Sequence, residues 1–90
     1  MNDAELRLDG NAAAGLLDEV FGTEITAALG TCAACGATRA IGAVHVYAHA
    51  PGTVLRCPEC TAMLMCIVRV RERFVVDLSG IGRLELAAGA

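Results

Sequence analysis

A chain of 90 residues with a formal charge of −3 and a mean hydropathy of +0.56 has room for one domain, 1–90, whose core is marginal without some added staple. Its acidic balance argues against binding nucleic acid through charge alone. Its longest strongly apolar run, Ala62 to Val68, is far short of the ~20 residues a membrane helix needs. The acidic start Met1-Asn2-Asp3-Ala4-Glu5 is not followed by an apolar segment, so no secretory signal is expected and a cytoplasmic location is predicted.

Residues 1–8 read as a loose start on which Leu6 and Leu8 dock. Asp9-Gly10-Asn11 supplies side-chain oxygen for an N-cap. A helix is predicted over about 12–21, with Ala13, Leu16, Leu17, Val20 and Phe21 on one face and Gly22 as its stop. Glu24 to Leu29 is expected to be a short strand. Ile41 to Ala48 alternates, with Val44 and Val46 on one side and Ile41, Ala43, His45 and Tyr47 on the other. Ala50-Pro51-Gly52-Thr53 predicts a type II turn, and Thr53 to Arg56 the returning strand. Met63 to Val70, Phe74 to Leu78 and Arg83 to Leu86 complete the predicted strands. Ribbon and sheet then occupy about 24–86. The expected class is mainly β with one N-terminal helix, a small α+β fold with an antiparallel sheet of four or five strands; the pairs Cys32/Cys35 and Cys57/Cys60 on either side of the predicted hairpin give that sheet a zinc-ribbon or rubredoxin-like layout.

The strongest chemical signal is a pair of Cys-x-x-Cys motifs, Cys32-Ala33-Ala34-Cys35 and Cys57-Pro58-Glu59-Cys60, with 21 residues between them. Such a turn brings two sulfurs to one metal while its backbone N–H groups point at the thiolates. Two turns give a closed four-cysteine site with no open position, which is the structural geometry. Zn²⁺ is the expected ion. Iron also suits four thiolates and would make the chain a rubredoxin-like redox protein. A redox dithiol is weakened because neither pair opens a helix within a βαβ unit. Four thiolates and one Zn²⁺ would carry the formal charge from −3 to −5.

The segments Leu8-Asp9-Gly10-Asn11-Ala12, Glu19-Val20-Phe21, Cys32-Ala33-Ala34-Cys35-Gly36, Ala50-Pro51-Gly52, Arg56-Cys57-Pro58-Glu59-Cys60 and Asp77-Leu78, with Tyr47 and Val54, resemble a family of small actinobacterial zinc-ribbon-like proteins of unknown function. The resemblance covers about residues 8–86. It implies a ribbon with an N-terminal helix and metal binding by Cys32, Cys35, Cys57 and Cys60, and it brings no activity. Thr61 stands where many ribbons carry Gly after the second pair, which predicts a differently shaped second turn.

Other residues invite sharper readings. Cys66, on a face with Leu64, Val68 and Val70, reads as a small buried hydrophobe. His45 and His49 lie four apart on a strand, about 13 Å, too far to share one metal without a bend. Arg69, Arg71 and Arg73 approach a hairpin tip, where charge discourages edge pairing. With Arg56 they are also the basis of an alternative reading, a transcription-associated ribbon that binds nucleic acid, although no aromatic residue interleaves them for base stacking. Asp18, Glu19 and Asp77 have no nucleophile in sequence context, and no Ser-His-Asp order, phosphate loop or His-Glu-x-x-His motif is present. The chain is therefore expected to be no enzyme. A non-catalytic module that contacts a protein partner or a second copy accounts for its apolar excess.

Overall fold

A computed structural model describes residues 7–49 and 52–88. The expected docking of Leu6 and the Ala50-Pro51 turn lie outside the described residues. The chain is mainly antiparallel β with one N-terminal helix, as its periodicities predict. The strands are β1 (Arg7–Asp9), β2 (Leu29–Cys32), β3 (Thr38–Ala40), β4 (His45–His49), β5 (Gly52–Arg56), β6 (Met63–Val70), β7 (Arg73–Asp77) and β8 (Ile81–Glu85).

The helical segment opens as a 3₁₀ turn, Gly10–Ala13, and continues as α1, Ala14–Phe21. Asp9 caps it, its Oδ1 accepting the Ala12 N–H at 3.2 Å, so an orphan donor of the first turn is satisfied. At the other end Gly22 takes a left-handed conformation and its N–H returns to the Asp18 carbonyl, a common helix stop. Leu17 is fully buried and Ala13 nearly so, while Leu16, Val20 and Phe21 pack half-buried against the same core.

Among the described residues the single predicted sheet is two. One has five strands in the order β1-β4-β5-β6-β7; the other has three, β3-β2-β8. All pairings are antiparallel. The split occurs after β7. There the Asp77 carboxylate accepts the Ser79 N–H at 2.8 Å, which favours a turn over continued strand. Gly80 then passes against β6 so closely that a Cβ would lie 1.7 Å from the Met63 carbonyl oxygen. Only glycine permits this approach, and it sends β8 away from β7 to pair with β2.

Three local expectations are corrected. Residues 7–9 are not loose; they pair with β4 as an edge strand. Glu24 to Ala28 is not a strand, because the Glu24 carboxylate accepts from both the Thr26 N–H and its hydroxyl and the Ala28 N–H bonds to the Ile25 carbonyl at 3.0 Å. Such local bonds compete with a sheet ladder. Ile41–Ala43 forms a 3₁₀ turn, so Ile41 leaves the predicted alternation and is as buried as Val44 and Val46. One hydrophobic cluster joins Leu17 of α1, Ile25 and Ile41 of the connections, and Val46, Leu55, Met65 and Ile67 of the larger sheet.

Candidate metal centre

The two Cys-x-x-Cys segments are the tips of two hairpins in different sheets. β2 delivers Cys32, the chain turns through Ala33 to Gly36, and β3 returns; β5 delivers Cys57, the chain turns through Pro58 to Thr61, and β6 returns. A register irregularity precedes each first cysteine, between Thr31 and Cys32 and between Leu55 and Arg56. Irregularities of this kind bend a strand and re-aim its side chains.

The two turns are built alike. The Gly36 N–H bonds to the Cys32 carbonyl and the Thr61 N–H to the Cys57 carbonyl, both at 2.9 Å. The Cys32 N–H reaches the Ala37 carbonyl at 2.8 Å and the Cys57 N–H the Ala62 carbonyl at 2.9 Å. Gly36 has φ +79° and Thr61 has φ +67°. The expectation of a differently shaped second turn is therefore overturned: Thr61 adopts the left-handed backbone that the first turn assigns to glycine. Arg56 supports it by donating to the Thr61 carbonyl at 3.0 Å.

All four sulfurs lie within 4.8 Å of one another. The Cys32 and Cys60 sulfurs are 3.7 Å apart, as are those of Cys35 and Cys57. A tetrahedral ion with metal–sulfur bonds of about 2.3 Å would set sulfur–sulfur edges of about 3.8 Å. Disulfide bonds need about 2.05 Å, and all the cysteines are free thiols. These close contacts join one turn to the other, so the donor set belongs to the pair of turns. Cys32 and Cys57 are buried, Cys60 is half-buried and Cys35 is exposed.

Backbone donors tune the sulfurs unequally. The Cys35 N–H, with help from the Ala34 N–H and the thiols of Cys60 and Cys35, outweighs burial and lowers the Cys32 thiol to about 7. At Cys60 the Ala62 N–H acts downward, but burial and the other three thiols overcome it and push the value up to about 12. The Ala37 N–H likewise works to lower Cys35, against burial and the Cys57 and Cys32 thiols, and the net direction is upward. Without an ion, four adjacent sulfurs cannot all carry charge. A divalent cation removes that restraint and holds coordinating thiols deprotonated.

Around the sulfurs, Glu59 within the second turn forms an ion pair with Arg39 on β3, tying the two tips together outside the donor set. Sequence reading did not single out this pair. The lone acid between Cys57 and Cys60 was the available signal, but its partner depends on how the sheets pack. The first turn is also held by the Ala33 N–H donating to the Gly80 carbonyl at 2.9 Å.

The remaining singled-out residues lie elsewhere. His45 is half-buried on β4 and Cys66 sits in the middle of β6; neither belongs to the sulfur cluster. The side chain of His49 lies outside the described residues. Cys66 is half-buried, not fully buried; the buried residues of β6 are Leu64, Met65 and Ile67. Arg69 contacts Glu19 at 3.4 Å and lies over the Phe74 ring at 5.2 Å. Arg71 is in the hairpin turn with φ +59°, so the three tip arginines do not form one row.

The match to known families comes from a family model that covers residues 2–89, described as a family of unknown function, DUF6510. The chain belongs to this family. No curated protein and no solved structure is significantly similar to it. The four cysteines of this DUF6510 chain can hold a metal ion, and no helix among the described residues is long and apolar enough to cross a membrane.

Proposed function

We propose that this chain is a small zinc ribbon in which Cys32, Cys35, Cys57 and Cys60 hold one structural Zn²⁺, and that it acts without catalysis as a protein-interaction or accessory module in a thiol-reducing compartment such as the cytoplasm. The observation that carries the proposal is the pair of 3.7 Å sulfur contacts running between the two hairpin tips. They fit one tetrahedral ion shared by both sheets better than two separate redox dithiols, whose reacting sulfurs would meet within a motif. Four protein donors fill a tetrahedron and leave no position for substrate, which supports a structural role. Nucleic-acid binding is the weaker reading: Arg69 is engaged by Glu19 and Phe74, and Arg71 and Arg73 flank Glu72 in a chain of net negative charge.

Elemental analysis of protein purified without added metal tests the proposal. One zinc per chain and a colourless solution are expected. Iron with visible thiolate charge-transfer absorption would move the protein to the electron-transfer class, and a folded protein without metal would overturn the assignment. A salt titration against generic DNA and RNA checks the other rival, since micromolar binding that falls steeply with salt would contradict the interaction reading.

A further inference from the structure

β7 is an edge of the five-stranded sheet, and edge strands offer unpaired backbone groups to another chain. Along it Arg73, Val75 and Asp77 are exposed, while Phe74 and Val76 are half-buried against the core. Val75 is 56% exposed, and Val70 and Leu78 nearby are 48% and 41% exposed. Arg73 and Asp77 have no ion-pair partner among the described residues, whereas Arg83 and Glu85 on the outer strand β8 already pair with each other at 3.1 Å.

We propose that β7 pairs with β7 of a second copy of this chain, antiparallel about a twofold axis at Val75, so that the two five-stranded sheets become continuous. The inference rests on the reading of this protein as an interaction module and names the partner. The two-residue turn Arg71-Glu72 joins Val70 to Arg73, and in such a hairpin that closing pair exchanges its hydrogen bonds. The backbone groups of Phe74 and Val76 therefore face away from β6. In the twofold register Phe74 meets the partner's Val76 and both of their bonds form, at each of two symmetric places. Val75 meets the partner's Val75 in the non-hydrogen-bonded position, where side chains come closest.

Charge selects this arrangement. The register sets Arg73 opposite the partner's Asp77, and symmetry repeats the pair on the other side of Val75. An in-register parallel pairing would set arginine against arginine and aspartate against aspartate. A slip of two residues either way would place Val75 opposite a charged side chain. The charges of β7 thus disfavour the competing pairings and fit one closed, isologous contact.

Light scattering on the metal-loaded full chain over a concentration series tests the proposal. A mass rising from 9.3 kDa toward twice that value is expected. Val75→Lys places two like charges on the axis and should leave a monomer; its exposure makes it compatible with folding. R73D and D77R should each weaken self-association by about tenfold or more, and mixing the two should restore a dimer, because the mixed pair again sets opposite charges together. Circular dichroism and metal content establish that each variant is folded. If D77R does not fold, Val75→Lys and R73D alone decide. Wild-type protein monomeric at about 1 mM, an unchanged dimer in Val75→Lys or R73D, or a mixture of folded variants that stays monomeric would overturn the proposal. Metal content of one zinc per chain in the same samples would leave the metal assignment standing even then.

Discussion

Replacing Cys35 with serine separates metal binding from packing. Cys35 is the exposed member of the four, whereas Cys57 is 1% exposed, so Cys35→Ser removes a metal donor without placing a hydroxyl in the core. If the cysteines merely pack, an exposed substitution of this size changes stability by no more than about 0.5 kcal/mol. If they share an ion, its removal opens a cross-link. The segment between Cys35 and Cys57 holds 21 residues, and treating the ion as a cross-link closing a loop of roughly that length gives about 3.4 kcal/mol of chain entropy near 25 °C. That is a large share of the roughly 5–13 kcal/mol expected for a domain of this size. Urea unfolding of wild type and Cys35→Ser, each with and without a strong chelator, completes the cycle. Chelation should cost the wild type about 3 kcal/mol or more, and the variant much less. The two metal-free proteins should agree within about 0.5 kcal/mol. A wild type insensitive to confirmed loss of its metal would refute the cross-link reasoning, as would a Cys35→Ser defect that persists undiminished between the metal-free proteins.

Other substitutions test the fold around the site. Leu17→Ala, at a side chain with no exposed surface, should lower stability by about 2–4 kcal/mol in urea unfolding; a loss below about 1 kcal/mol would mean that α1 is not anchored in the shared core. Thr61→Gly should raise stability by about 0.5–1 kcal/mol, because a β-branched residue is held at φ +67° where glycine pays no steric penalty; metal content should be unchanged. The Glu24 carboxyl is held below its ordinary 4.5 by the Thr26 hydroxyl and then the Thr26 N–H, so its contribution is present above the unfolded-state pKa and is lost as pH falls through the lowered folded value. Glu24→Gln should therefore be less stable than wild type at neutral pH, and the difference should shrink in acid; a difference that grows in acid would reverse the assignment.

The parts of the fold legible in the sequence are those set by local periodicity. The apolar spacing of Ala13, Leu17 and Phe21 with the Asp9 cap located the helix, and the largely apolar segment Met63 to Val70 located β6 at its observed ends. The parts that escaped depend on contacts distant in sequence. Nothing local in Ile81–Glu85 says that it pairs with β2, because the decisive feature is Gly80 fitting against the Met63 carbonyl, a contact across 17 residues of sequence. Ile41 misled for a related reason. Alternation assigned it to a strand face, but its N–H bonds to the Ala28 carbonyl at 2.9 Å and the segment coils into a turn that buries it.

At the metal centre the donors were legible from spacing, since each motif needs only its own four-residue turn to present two sulfurs. That the two turns belong to different sheets was not legible, and it alters what the ion does. In a single continuous sheet, the backbone ladder would already hold the second turn near the first, and an ion would add little beyond it. Here sheet β3-β2-β8 carries Cys32 and Cys35, and the five-stranded sheet carries Cys57 and Cys60. Between these tips the observed ties are the sulfur cluster and the surface ion pair Arg39–Glu59, beside the single backbone bond from Ala33 to Gly80, and a pair as exposed as Arg39–Glu59 contributes only about 0–1 kcal/mol. The burden of holding tip to tip therefore falls on the ion and the shared core. Metal loss should loosen the three-stranded sheet first, since it contributes few of the core's large side chains, while β5, β6 and β7 remain paired. Hydrogen exchange on metal-free protein should accordingly show the amides of Gly30 and Thr31 unprotected before those of Leu55 and Ile67; equal loss across both sheets would mean that the core alone couples them and that the ion is not the hinge between them.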